Sequence, residues 1–157
     1  MIELITVMII IGIVASVSVP KLQNLPNTRA QFAIRKLRSD VRYAQLLAME
    51  SQARTRVVFD TAADTYELQR ESAPNTWVAV TDPASKGNYS VTFNAGDYAG
   101  VDITSAVFNA ASTVIFNTFG APFDGSGNVL VEPSQVVLNS GAYQLRFRAQ
   151  TGKVDIV

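Results

Sequence analysis

Met1-Ile-Glu-Leu-Ile-Thr-Val-Met-Ile-Ile-Ile-Gly-Ile-Val-Ala-Ser-Val-Ser-Val-Pro20 opens the chain, and how this stretch is read decides the fold. From Leu4 to Pro20 there are 17 residues without a charge, with Glu3 just before them and Lys21 just after. In a membrane a run this apolar must satisfy its own backbone hydrogen bonds, which a helix does within one segment. At 1.5 Å per residue it covers roughly 26 Å, a little short of the ~30 Å hydrocarbon core, so it spans a bilayer marginally at best. Pro20 lacks the helical donor, and Asn24-Leu25-Pro26-Asn27 adds a second interruption, so a kink or short melted stretch is expected across 20–27.

Working outward, Ala30, Ile34, Leu37, Val41, Ala44 and Ala48 recur at steps of three and four. This spacing predicts one buried face of an amphipathic helix, with the arginines on the other. After Arg54 the period becomes two. Eight short β-rich runs follow: Arg56–Asp60, Thr65–Gln69, Thr76–Val80, Tyr89–Phe93, Ser112–Phe116, Gln135–Leu138, Tyr143–Arg148 and Lys153–Val157, each bounded by turn residues. The expected architecture is α+β: a long N-terminal helix, kinked near Pro20, with its Ala30–Ala48 stripe packed on one face of an antiparallel sheet. The segments are 1–26 as an apolar stem, 27–54 as the amphipathic helix and 55–157 as a β-rich head.

The chain has 157 residues, no His and no Cys. That excludes disulfides, thiol nucleophiles, imidazole bases and Cys/His zinc sites, and it argues against an enzyme. The formal charge is zero but unevenly spread. Residues 21–56 hold eight basic residues against Asp40 and Glu50, whereas 57–157 hold five against ten acidic ones. The two parts are placed to attract each other between molecules as well as within one.

Ile2-Glu3-Leu4, Ile11-Gly12-Ile13 and Pro20 stand at the mutual spacing found at the start of type IV pilins, and the chain resembles that pilin and pseudopilin family. Asp40–Arg54, Val114–Gly120 and Tyr143–Val154 further resemble the heads of GspH/FimT-like minor pilins and pseudopilins. The family's opening Phe-Thr is absent here and Met1 takes the place of its Leu. No basic leader ending in Gly precedes it, so leader removal and N-terminal methylation, both family features, are not read from these residues. The many pilins with a C-terminal disulfide also differ from this Cys-free chain. The resemblance implies a precursor in the inner membrane and then a subunit of an extracellular pilus, forming a homo-oligomeric helical filament or assembling with other pilins. Major and minor tip roles stay open, the latter in type II secretion or a DNA-uptake pilus. No cofactor or small-molecule substrate is implied.

For assembly, the resemblance implies that Glu3 pairs with the N-terminal ammonium of a neighbouring subunit. The plain alternative is a carboxylate at the interface, stabilised by the helix N-terminus. Gly12 permits close helix approach or is merely tolerated. Pro20 either marks a place that melts on assembly or only aims the stem at the head. Arg29, Arg35, Lys36, Arg38 and Arg42 suggest contact with DNA or with acidic neighbouring heads; only Phe32 and Tyr43 accompany them as stacking partners, which disfavours nucleic acid. Asp124-Gly-Ser-Gly-Asn128 has oxygens for calcium but reads as turn chemistry, and no metal site is expected. Trp77 and the head's phenylalanines read as core. From another class comes a secreted β-protein whose first 20 residues are a signal peptide with a small-residue site at Ser16-Val17-Ser18; it lacks a basic n-region and leaves Glu3 without a role.

Overall fold

The computed structural model describes residues 2–22 and 25–157; the side chains of residues 15–22, 25, 26 and 140 lie outside the description. Two helices lead: α1 (Ile2–Leu22) and α2 (Leu25–Ser51). The expected single stem kinked at Pro20 is replaced by two helices flanking residues 23 and 24, which are outside the described residues. α1 continues two residues past Pro20, because a proline deletes only its own N–H bond and later residues can still make theirs. Pro26 falls in the first turn of α2, where an N–H has no intrahelical partner to lose.

α2 buries the predicted stripe. Ala30, Leu37, Val41, Ala44 and Ala48 are fully buried and Ile34 nearly so, joined by Ala33. Small residues at this spacing let the helix lie close to the strands beneath it. Gln52, with a positive φ of 51°, ends the helix and turns the chain into the first strand.

Ten antiparallel strands follow: β1 (Thr55–Asp60), β2 (Thr65–Ala73), β3 (Thr76–Ala79), β4 (Ser90–Thr92), β5 (Ile103–Val107), β6 (Thr113–Phe116), β7 (Pro122–Asp124), β8 (Ser134–Leu138), β9 (Tyr143–Phe147) and β10 (Val154–Ile156). All eight predicted runs are strands; β5 and β7 are additional. They form two sheets rather than the one expected. The larger has the order β3-β2-β1-β6-β7, with β4 also paired to β2, and the smaller has the order β10-β9-β8-β5. α2 packs across β1 and β6 of the first and β9 and β10 of the second, so its stripe closes a core shared by both. The register Val57↔Leu68 and Phe59↔Tyr66 places these side chains together on the inner face of the larger sheet. Phe108 stacks on Phe59 and meets Phe147 edge-on, joining the two sheets through aromatic contacts.

Phe59, Phe93, Phe108, Phe116 and Phe147 are core residues, as expected. Trp77 is not. It lies half-buried on the outer face of the larger sheet with the Arg56 guanidinium 4.4 Å from its ring centre and Arg54 at 5.7 Å. The alternation of β3 places Trp77 and Ala79 on the face opposite the core, where an amphipathic ring is covered by cations rather than by apolar neighbours. Phe119 departs further: it is 86% exposed at the tip of the β6–β7 turn.

Candidate assembly surface

Every residue of α1 from Ile2 to Val14 is exposed. Ile2, Leu4, Ile5, Val7, Met8, Ile9, Ile10, Ile11, Ile13 and Val14 thus present an uncovered apolar rod, which in a soluble monomer would be a large exposed patch. Glu3 sits in its first turn, where a carboxylate complements the helix dipole. A Cβ built on Gly12 meets nothing within 4 Å, so no contact among the described residues calls for glycine there. Among the described residues, no helix is long and apolar enough to cross a membrane; the expected marginal span takes in residues 15–20, whose side chains lie outside the described residues. The uncharged run is also short of the hydrocarbon thickness from the outset. Ser16-Val17-Ser18 falls within α1.

The five basic residues of α2 divide into two groups. Arg29 Nη1 donates to the Ala99 carbonyl (3.2 Å) and Arg38 Nε to the Val154 carbonyl (3.1 Å), tying the helix to the head. Lys36 Nζ donates to both oxygens of Asp40, at 2.7 and 2.8 Å. Arg35 and Arg42 remain exposed, with no hydrogen-bond or ion-pair partner among the described residues. They line a shallow groove with Arg38, Ser39, Tyr43 and Leu46 along the outer side of the helix. Of the five, Arg35 and Arg42 alone are left without such a partner among the described residues.

Asp40 is a site residue that the sequence reading did not single out. It falls inside the apolar stripe, next to Val41, and is 2% exposed. Besides Lys36 it accepts from the Tyr66 hydroxyl at 2.7 Å and the Tyr89 hydroxyl at 2.9 Å, so the charge is paired and its lone pairs are used. Burial lowers the Lys36 pKa, but the bonds to Asp40 and Tyr89 outweigh it and hold the pKa above its ordinary value. Burial and the Asp40 carboxylate together push Tyr66 well up. The i, i+4 spacing of Lys36 and Asp40 was the legible signal; the tyrosines, 26 and 49 residues away, were not.

Asp124 behaves as the turn reading expects. Its Oδ1 accepts the backbone N–H groups of Ser126 (2.9 Å) and Asn128 (2.8 Å), and its Oδ2 accepts the Asn109 amide (2.8 Å) and the Asn128 amide (3.2 Å). Burial works to raise its pKa, but these donors prevail and hold it at about 2. The oxygens on offer to a cation are turned to N–H donors, and among the described residues no group of three or more Asp, Glu, His or Cys side chains is disposed to hold a metal ion.

At the far end of α2, Gln45 Nε2 donates to the Gly120 carbonyl (2.8 Å). Gly152, with φ +63°, is set so close that an added Cβ would lie 2.5 Å from Gln45 Nε2 and 2.8 Å from the Gly120 carbonyl oxygen. The glycines of the Val114–Gly120 and Tyr143–Val154 segments are thus explained by one contact: the two turns meet around a single helix side chain.

No family model matches the chain, and no curated protein matches it. Two solved structures, both of the minor pseudopilin EpsH from the type II secretion system of Vibrio cholerae, share its fold. One is 13% identical with a TM-score of 0.57, covering 82% of this chain and 96% of the other. The second is 10% identical with a TM-score of 0.59, covering 83% and 94%. The chain has a pseudopilin-type fold.

Proposed function

We propose that this chain is a structural subunit of a type IV pilus-like or type II secretion pseudopilus filament, which polymerises through α1 and does no chemistry. The observation that carries the reading is the union of a pseudopilin-type fold with an N-terminal helix whose described side chains, Glu3 and Thr6 apart, are apolar and uncovered. In a filament, copies of α1 bundle as the core and the β heads form the outer surface; before assembly α1 lodges in the inner membrane. Lipid tails are as apolar as Leu, so moving α1 from lipid to protein yields little hydrophobic energy. Packing at Gly12 and neutralisation of Glu3 by a neighbour's N-terminal ammonium then decide assembly.

Glu3→Leu tests this. The variant folds, since Glu3 is exposed in the first turn of α1, but its share of sheared filaments drops by at least about tenfold, the effect of about 1.4 kcal/mol. Normal incorporation rejects the reading. The two EpsH likenesses carry the fold and not the rank, so abundance separates a minor tip role from a major one. A tip subunit is scarce in sheared material, and a major one dominates it.

A further inference from the structure

On the helical wheel Phe32, Arg35, Ser39, Arg42 and Leu46 fall within an arc of about 80°, directly opposite the buried stripe. All five are exposed; Phe32 and Leu46 bracket the two free arginines, and no acidic residue lies within this arc between them. At the stem end of the head the charge is reversed. The loops 60–65, 94–102 and 139–143 form one cluster: Asp64 Oδ1 accepts the Ile103 N–H (2.8 Å) and Asn139 Oδ1 accepts the Asp102 N–H (3.0 Å). Arg29 and Tyr143 tie the cluster to the first turns of α2. These loops carry Asp60, Asp64, Asp97 and Asp102 and no lysine or arginine. Asp97 is exposed, with no hydrogen-bond or ion-pair partner among the described residues.

We propose that the outer face of α2 docks the acidic loop cluster of a second copy of this chain. The proposal rests on the filament reading and names the head contact within it. Two observations point to a second copy. The cationic face and the acidic cluster are complementary in sign on one chain whose total charge is zero, and the arginines are set between apolar side chains that a protein surface can cover. A contact between two different patches is heterologous, so it repeats from copy to copy instead of closing a dimer, as a filament requires.

The absence of cysteine gives a clean test, because introduced thiols have no competitors. Ser39→Cys and Ala95→Cys place one thiol on each patch. In sheared filaments treated with a short bifunctional maleimide, the double variant gives a ladder of covalent multimers and neither single variant does. Adding Arg35→Glu and Arg42→Glu lowers the ladder by at least about tenfold, and Asp97→Arg with Asp102→Arg on the same chain restores it. Filaments that form without the ladder, or a ladder indifferent to charge reversal, overturn the contact and leave the filament reading standing. If the unaltered chain enters no filament, that reading falls and the contact with it. Loss of duplex DNA binding on reversal, with the ladder unchanged, assigns the face to nucleic acid and refutes the proposal.

Discussion

Replacing Asp40 with Ala removes the one carboxylate inside the α2 stripe, and the surroundings set the cost. The Tyr66 hydroxyl, on a residue 1% exposed, loses a 2.7 Å bond to a charged acceptor and has no water to turn to; stranding it costs about 1–3 kcal/mol. Lys36 and Tyr89 are half-buried and recover hydration, so each adds about 0–1 kcal/mol. The sum is about 1–5 kcal/mol, a large part of the stability of a small head. Trp77 is the only tryptophan, and its place over Arg56 makes its fluorescence a reporter of the head during urea unfolding. The network also predicts coupling: Tyr66→Phe in the Asp40→Ala background costs at least about 1 kcal/mol less than in the unaltered chain, because the stranded hydroxyl is gone. An Asp40→Ala chain within about 0.5 kcal/mol of the original, or strict additivity with Tyr66→Phe, refutes the view that this carboxylate organises the helix–sheet contact.

Further expectations concern the turns, the stem and pH. Asp124 has a folded pKa of about 2, below its unfolded value, so its contribution is full above about pH 4 and is lost as pH falls towards 2; with allowance for solvent screening it amounts to about 1–2 kcal/mol. Urea midpoints at pH 5 and pH 2.5 measure this, and Asp124→Asn flattens the difference. Gly152→Ala drives a methyl into Gln45 and the Gly120 carbonyl at a positive φ, for about 2–4 kcal/mol of destabilisation by the same assay. Gly12→Ala raises α1 helicity by about 0.5–1 kcal/mol, since its Cβ has open space, yet lowers filament incorporation if another helix approaches there. Circular dichroism and sheared-filament yield separate the two effects.

Much of the fold was legible. The stripe Ala30–Ala48 was readable because a helix face on a core repeats every three to four residues whatever it packs against. The two-sheet division was not, because alternation along a strand states which residues are buried and not which strand lies beside it. β5 was missed because Ile103-Thr-Ser-Ala-Val has weak alternation and a register shift against β8. β7 was missed because Pro122 argues against a strand; it is tolerated at a sheet edge, where its missing N–H costs no ladder bond. At the surface, the arginines were countable, but their partners were not. Arg29 and Arg38 reach carbonyls 70 and 116 residues away, contacts that only the tertiary arrangement supplies.

The ties along α2 have a mechanical consequence. Tyr143 holds the Asn27 carbonyl near its beginning, Arg38 holds β10 at its middle, and Gln45 holds the β6–β7 turn towards its end. A pull on the stem therefore loads the helix lengthwise, in shear against both sheets, and the ties with the buried stripe must yield together instead of unzipping one by one. The final strand, three residues long and last in the chain, is part of that load path.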